Sequence, residues 1–216
     1  MRGRVRVESP DEFWPAYTDI LMVTALILVL LVVTFVISRQ DNSVQNELDR
    51  RKQAFQKAFN ERLAPEAKAG HITLISPPGE RQTITFSDQL LFDLGDARIT
   101  RPDGKVALTK VSSLLKSLGP LYKSIQVNGH TDEDPISTPQ YPSNWHLSSA
   151  RATSVVYYFV GQGLPPTLFS ATGYAEFRPL DPNGNRIASK PRKRRIEIEV
   201  LYPLDWIGQQ LSAKKP

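Results

Sequence analysis

Apolar positions form one continuous run near the start of the chain and shorter periodic segments after residue 70. The run from Ile20 to Ile37 is apolar apart from two threonines. At about 1.5 Å per residue this helix would reach roughly 27 Å, close to the hydrocarbon thickness of a membrane. A cleaved signal peptide would have a shorter apolar core and a small-residue cleavage site, which the following sequence ISRQDNS lacks. The pattern therefore predicts an uncleaved transmembrane helix over residues 15–38.

Charges on either side of this run predict its orientation. Arg2, Arg4 and Arg6 precede it, whereas Arg39 is followed at once by polar and acidic residues. The positive-inside rule then leaves residues 1–14 in the cytoplasm, and the remaining chain crosses the membrane. We therefore expect a single-pass protein, surrounded in the membrane by lipid, with most of its mass on the far side from the cytoplasm.

One acidic residue, Asp19, lies at the entrance to the apolar run. It could be a first-turn acid stabilised by the helix N-terminus and still in contact with water. It could instead be a protonatable carboxylate that binds and releases a cation, because acids within a membrane usually face a pathway or a partner. A single helix cannot shelter this acid, so a hydrated pathway would require helices from another subunit.

Residues 39–70 show a polar helical pattern with a narrow apolar stripe. Its members recur at spacings of four and seven, which is typical of a helix with one apolar face. The simplest interpretation is a helical stalk paired in a dimer, although the same stripe could act as a plug on a partner. Pro65 is expected to end this helix, and a short linker would follow. The stripe consists of Val44, Leu48, Phe55, Phe59 and Leu63.

Residues 71–204 alternate between strand and helix patterns. Strands are predicted where apolar and polar residues alternate, and helices where apolar residues recur every three or four positions. Such an order predicts an α/β sandwich with helices on one face of a mixed sheet, and residues 205–216 are assigned to a tail. The predicted strands are HITLIS, RQTITFS, SIQVNGHT, LFSATGYA and RRIEIEVLY, and the predicted helices are RPDGKVALTKVSSLLKSLG and NWHLSSARATSVVYYFVGQG.

Composition excludes several classes of function. Lys and Arg total 27 against 22 Asp and Glu, a net charge of +5, and the basic clusters are not interleaved with the aromatic residues of a nucleic-acid interface. The chain has no cysteine, and its three histidines are widely scattered, so neither disulfides nor a metal site is expected. No nucleophile with a neighbouring base stands out. We therefore predict neither an enzyme nor a nucleic-acid-binding protein.

Several long motifs occur in one order and resemble the OmpA-like peptidoglycan-binding domain. The resemblance covers about Gln82 to Val200. A single GHTD motif would be weak, whereas the full ordered set is specific. The motifs are LLFDLGDARITRPDGKVAL, IQVNGHTDEDPIST, YPSNWHLSSARATSVVYYFVGQGLP, LFSATGYAEFRPL and RKRRIEIEV.

The resemblance implies a site for diaminopimelate, the diamino acid of the cell-wall peptide. Asp132 of GHTD and Arg151 of NWHLSSAR match the two residues that grip it. These residue types suit the ligand. Diaminopimelate carries an ammonium, which needs a hydrogen-bond acceptor such as an aspartate, and carboxylates, which need a bidentate donor such as an arginine. Without the motif, these residues would be interpreted as a solvated loop acid and an ordinary helix charge. The position where the family usually has Asn is Lys193. Matching residues that would line or support the pocket are Thr131, Asn144, Leu147, Arg194 and Arg195.

The N-terminal part adds a second resemblance. A short basic N-terminus, the motif AYTDI at the start of one transmembrane helix and a wall-binding domain resemble MotB-type stator subunits and ZorB of the Zorya anti-phage systems. The resemblance implies that Asp19 carries the transported cation, H⁺ or Na⁺, with no other cofactor. It also implies two copies within five of a multi-pass MotA- or ZorA-like partner, in a flagellar or defence motor. The alternative is a passive tether between membrane and peptidoglycan.

Overall fold

The structure is a computed structural model that describes residues 14–178 and 193–213, without the side chains of residues 14–16, 37–42 and 120. The basic N-terminal cluster and the turn expected at PNGNR (182–186) lie outside the described residues. The chain divides into two compact units, Met1–Asn46 and Glu47–Pro216.

The first unit contains the start of helix α1 (Trp14–Lys68). Within α1, Tyr17–Val36 is long and apolar enough to cross a membrane, and its side chains are exposed around the helix. The hydroxyls of Thr24 and Thr34 donate to carbonyl oxygens three and four residues earlier, at 2.9–3.0 Å. These hydroxyls therefore find partners inside the helix, as a segment surrounded by lipid requires. The predicted N-terminal apolar helix is confirmed.

The second unit is built on a mixed five-stranded sheet of order β1-β2-β5-β3-β4. Strands β3 and β4 are parallel, and the other neighbouring pairs are antiparallel. The predicted fold class, an α/β sandwich built on a mixed sheet, is confirmed. The strands are β1 (Ile72–Ile75), β2 (Arg81–Ser87), β3 (Ser124–His130), β4 (Phe169–Gly173) and β5 (Arg195–Leu201).

The helices of the globular unit follow the predicted positions, with two additions, a short helix after β2 and another helix after β5. The helices expected before β3 and β4 are present, and α5 adds a further helix in the segment that was assigned to a tail. Ile207 of α5 is fully buried, so this segment belongs to the core of the unit. The helices are α2 (Asp88–Leu91), α3 (Pro102–Ser117), α4 (Asn144–Gly161) and α5 (Leu204–Ala213), with 3₁₀ turns at Gly119–Leu121 and Pro166–Leu168.

Apolar and polar residues alternate along the strands, and the apolar side chains on one face of the sheet form the core. The buried positions of neighbouring strands lie opposite one another, as in the pairs Phe86–Ile196 and Ile84–Ile198. Helix α4 approaches this face closely at β3, because a Cβ on Gly129 would lie 2.1 Å from a backbone oxygen of Ser148. Glycine is therefore required there, and the NGH sequence of β3 is explained by packing.

Four of the five residues in the apolar stripe of α1 are buried inside the second unit. Leu48, Phe55, Phe59 and Leu63 are buried, although they were expected to pair in a dimeric stalk. The backbone oxygen of Lys52 accepts a hydrogen bond from the Gln82 side chain of β2 at 3.2 Å. In the single chain, this part of α1 therefore packs as a core helix of the globular unit.

Pro65 does not end α1, so that expectation was wrong. The helix continues to Lys68, and the Ala69 N–H donates to the Pro65 carbonyl oxygen at 3.1 Å. A proline in the last turn removes only one donor, which the short remaining helix tolerates. The turn comes instead at Gly70, whose φ of +76° is the left-handed conformation that glycine adopts most easily.

Candidate functional site

Strand directions bring three charged residues to one edge of the sheet. Strands β2 and β3 run in the same direction, because each is antiparallel to β5. The residues that follow β2 and β3 therefore meet the residue that precedes β5. This topology places Asp88, Asp132 and Arg194 side by side.

The three residues and Arg151 form a linked group, called here the charge cluster. Arg194 Nη1 donates to Asp132 Oδ2 at 2.9 Å, and its Nε lies 3.2 Å from Asp88 Oδ2. Arg151 Nη1 donates to the same Asp88 oxygen at 3.1 Å. Two acids thus face two guanidiniums. Both acids are buried, so each needs such a partner to remain ionised at tolerable cost.

Arg151 lies beneath the cluster rather than at its surface. Only 1% of the residue is exposed. Its Nε donates to the Asp96 carbonyl oxygen at 2.9 Å, and its guanidinium lies 5.0 Å from the Phe92 ring centroid. Arg194 is the more exposed arginine and is the one that contacts Asp132. The direct grip of Arg151 on a ligand remains a prediction, and in this structure Arg151 supports Asp88.

Burial shifts the pKa values within the cluster. It raises the pKa of Asp88, against the opposing effect of the Arg151 and Arg194 guanidiniums. It also lowers the pKa of Arg151, although the Asp88 carboxylate acts in the other direction. Burial opposes the charge of Arg194 too, but the carboxylates of Asp88 and Asp132 prevail and raise its pKa. Arg194 is therefore held as a cation at the rim of the cluster.

Asn144 and Thr131 hold the loop that carries Asp132. Asn144 Nδ2 lies 3.3 Å from the Asp132 carbonyl oxygen, 3.1 Å from that of Asp134 and 3.4 Å from a carboxylate oxygen of Glu176. The Thr131 N–H donates to the Ala175 carbonyl oxygen at 2.9 Å. Thr131 Oγ1 is buried and has no hydrogen-bond partner among the described residues. This hydroxyl is therefore a buried polar group next to Asp132 without a protein partner in the described part of the chain.

Leu147 supports the site through apolar contacts. It packs in a small buried cluster with Ala97 and Tyr141. This cluster lies under the start of α4, one turn after Asn144. Leu147 therefore fixes the helix that presents Asn144 and Arg151.

Arg195 and Lys193 make separate contacts. Arg195 Nε donates to Glu197 at 2.6 Å, and its Nη2 donates to the Arg178 carbonyl oxygen at 3.0 Å. Lys193 donates to the Glu133 carboxylate at 2.8 Å. Consecutive residues entering a strand point to opposite sides, so Arg194 joins the charge cluster and Arg195 does not.

A cleft of about 610 Å³ opens beside the cluster. Asp88 and Arg194 contribute to its wall, so it gives a ligand access to the rim of the cluster. Arg101, which also lines the cleft, forms an ion pair with Asp93 at 3.1 Å. The cleft is lined by His71, Asp88, Gln89, Leu90, Phe92, Leu94, Arg101, Pro102, Asp103 and Arg194.

Asp88 was missed by the sequence reasoning. The usable pattern was an acid directly after an alternating strand, SD after RQTITF, which parallels TD after IQVNGH. That similarity becomes informative only once β2 and β3 are known to run in the same direction. In the part of the chain that the structure describes, no group of three or more potential metal ligands was found.

Residues 91–194 match the OmpA family, and the globular domain of this chain belongs to that family. The expectation of a non-enzymatic protein is confirmed by this membership. The chain is 38% identical over 118 residues to the uncharacterized protein YtxE of Bacillus subtilis, covering 54% of this chain and 47% of YtxE. It is 33% identical over 142 residues to motility protein B of Bacillus subtilis, covering 65% of this chain and 53% of that protein. The chain thus spans about half the length of these curated relatives.

Solved structures agree on the fold. A MotB-like protein from Desulfovibrio vulgaris superposes with a TM-score of 0.63 at 23% identity, covering 74% of this chain and 96% of that one. The cell wall anchor of the type VI secretion system from Pseudomonas aeruginosa superposes with a TM-score of 0.57 at 29% identity, covering 67% of this chain and 97% of that one. These structures support the fold, and the resemblance to OmpA-like domains and to MotB is confirmed by the family match together with the 33% identity to motility protein B.

Proposed function

We propose that the charge cluster binds the diaminopimelate residue of peptidoglycan and anchors the protein to the cell wall. The observation that carries this proposal is the ion pair between the buried Asp132 and the partly exposed Arg194, which presents an acceptor and a donor together at one rim. Diaminopimelate offers an ammonium and a carboxylate in one side chain. Each charge of the ligand thus has a complementary group on the protein.

Binding would proceed by exchange of ion pairs. The ligand ammonium would take the place of Arg194 at Asp132, and the released guanidinium would accept the ligand carboxylate. No charge is left unpaired at the end, so the high cost of an isolated buried charge is avoided. Asp88 and Arg151 would remain paired below and hold Arg194 within reach.

Affinity for a diaminopimelate-containing stem peptide tests this assignment. Asp132→Asn and Arg194→Ala should each weaken binding at least about tenfold, because each leaves one ligand charge without a partner. Arg81→Ala is the matched control, because Arg81 begins β2 at the opposite edge of the sheet and forms a 3.6 Å ion pair with Glu199. Unchanged affinity in both cluster variants would contradict the assignment.

At the level of the whole protein, we propose a cell-wall-anchored stator subunit that passes a cation along Asp19. Support comes from the 33% identity to motility protein B and from the acid within the apolar segment of α1. Asp19 has an exposed side chain in the isolated chain. Because an unshielded membrane carboxylate is costly, a multi-pass partner would have to surround it. In this proposal the single transmembrane helix lies in the bacterial inner membrane, with the N-terminus in the cytoplasm and the C-terminal domain in the periplasm.

Ion flux in cells that express the chain with a MotA-like subunit tests the stator role. Asp19→Asn should abolish cytoplasmic acidification or sodium entry while membrane insertion and wall binding persist. Asp41→Asn, at the other end of the apolar run, is the control and should leave the flux unchanged. Flux that survives in Asp19→Asn would contradict the assignment. The alternative, a passive tether, predicts no flux in any variant and no stoichiometric multi-pass partner on purification.

A further inference from the structure

Two exposed aromatic side chains stack on each other beside the charge cluster. The ring centroids of Trp145 and Phe177 lie 5.4 Å apart with an interplanar angle of 22°. Trp145 remains 48% exposed and Phe177 62% exposed despite this contact. The two rings, called here the aromatic pair, therefore offer apolar ring surface to the solvent, which is a common feature of binding surfaces.

The aromatic pair is tied to the site through its sequence neighbours. Trp145 follows Asn144, whose amide holds the Asp132 loop, and Phe177 follows Glu176, which accepts from that same amide at 3.4 Å. Consecutive Cα atoms are about 3.8 Å apart. The rings therefore belong to the same edge of the domain as Asp132. They also contribute nothing to the ion-pair exchange, so that mechanism leaves them unexplained.

We propose that the aromatic pair is a sugar subsite that binds the glycan backbone of the same peptidoglycan molecule. This inference rests on the proposed function of the charge cluster. In peptidoglycan, diaminopimelate is the third residue of a stem peptide whose first residue is attached to an amino sugar. At no more than about 3.6 Å per α-linked residue, and with the longer γ-linked second residue and the lactyl group included, that sugar lies within roughly 15 Å of the diaminopimelate. A ligand seated at Asp132 thus brings a sugar to the neighbourhood of Trp145.

Aromatic rings suit such a ligand for a physical reason. The face of a pyranose ring carries C–H groups with partial positive charge, and the face of an aromatic ring carries partial negative charge. Trp145 and Phe177 would therefore stack against the sugar ring while its hydroxyls remain in water. The glycan would gain affinity without any further buried charge.

Two probes separate the sugar subsite from the peptide site. One is a disaccharide carrying a diaminopimelate-containing stem peptide, and the other is the same peptide without sugar. The full chain in detergent should bind the first about three- to tenfold more tightly, a range typical of one aromatic contact. Trp145→Ala and Phe177→Ala should lose this advantage and keep the wild-type affinity for the sugar-free peptide.

Control variants guard against structural effects. Tyr157→Ala removes an aromatic side chain that is 72% exposed, also on α4, and should leave both affinities unchanged. Trp145→Tyr keeps a stacking ring and should retain most of the sugar advantage. Equal affinities of the wild-type protein for the two probes would overturn the sugar subsite while leaving the peptide site intact. Failure to bind either probe would overturn the proposed function and the subsite together.

Discussion

At the scale of single residues, Asp88 differs from the nearby acid Asp93 in its burial and in its ion-pair partners. Its carboxylate is buried and contacts both guanidiniums of the charge cluster. Asp93, in contrast, pairs with Arg101 on the surface, where both side chains are 53% exposed. Exposed ion pairs contribute little to folding stability because water screens them. Removing one partner of a buried ion pair, in contrast, leaves the other charge desolvated and unpaired. The two acids should therefore respond very differently to neutralisation.

Asp88→Asn should lower the free energy of unfolding by about 3 kcal/mol, because it leaves Arg151 buried without a counter-charge. The same change should weaken binding of the stem peptide, since Arg194 loses the contact that orients it. Denaturant unfolding and a binding titration would measure the two effects. Asp93→Asn serves as the control and should cost less than about 1 kcal/mol. Similar losses in the two variants would contradict a special role for Asp88.

The buried His130 and the partly buried Glu197 form a second ionisable pair, with His130 Nε2 3.2 Å from the Glu197 carboxylate. Burial lowers the pKa of His130, and the neighbouring Arg195 adds to this shift against the hydrogen bond to Glu197. Burial opposes the charge of Glu197, but His130 and Arg195 prevail and lower its pKa to about 2. Both groups therefore bind fewer protons in the folded state than in the unfolded state.

This pair predicts a loss of stability in acid. A group with a lowered folded pKa stabilises the protein above its unfolded pKa and loses that contribution as the pH falls. Stability should thus begin to fall below about pH 6.5 through His130, and fall further between about pH 4.5 and 2 through Glu197. Unfolding measured from pH 7 to 3 should show a shallower slope in His130→Gln. His146→Gln, on the exposed start of α4, should retain the wild-type slope, and an unchanged slope in His130→Gln would contradict the assignment.

At the scale of secondary-structure elements, alternation and helical periodicity were sufficient to predict all five strands and helices α3 and α4. These two patterns do not predict which surface each apolar face packs against. The stripe of α1 was recognised, yet its spacing is the same whether it packs on a second copy or on the sheet of its own chain. Helix α5 is short and preceded by proline, so one buried residue, Ile207, leaves little periodicity to detect.

The burial of Phe55 makes the packing of α1 testable. Phe55→Ala should destabilise the globular unit by about 3–5 kcal/mol, the range for removing a buried phenylalanine. Lys57→Ala, on the exposed side of the same helix, should change stability by less than about 0.5 kcal/mol. Thermal unfolding at several protein concentrations would measure both. A loss for Phe55→Ala that appears only through dissociation of a dimer would favour the stalk interpretation instead.

For the candidate site, too, the sequence predicts some of the residues, whereas others can be identified only from the strand topology. Motif spacing was sufficient to nominate Asp132, Arg194 and Asn144, which the structure brings together. It also nominated Arg195, which enters β5 on the other side of the strand and pairs with Glu197. Asp88 required knowledge that β2 and β3 share a direction, because contacts between residues 63 positions apart leave no local pattern.

At the scale of the whole molecule, the position of the domain boundary decides which part of the chain folds as a unit. The sequence placed the start of the globular domain at residue 71, whereas the compact unit of the structure starts at Glu47. Residues 47–70 contribute fully buried side chains, including Phe55 and Leu63. They also provide the carbonyl oxygen that satisfies the buried amide of Gln82. A domain without these residues would expose apolar surface and remove one of the two acceptors of the Gln82 amide nitrogen.

A fragment of residues 47–216 should therefore unfold cooperatively, whereas a fragment of residues 71–216 should melt at least about 10 °C lower or fail to fold. Circular dichroism in the near and far ultraviolet during heating would measure the difference. A fragment of residues 39–216 is the matched control: its eight extra residues belong to the other unit, so its melting temperature should equal that of 47–216. Equal melting temperatures for all three fragments would place the boundary at residue 71 and would mean that residues 47–70 are free to act as a separate stalk or plug.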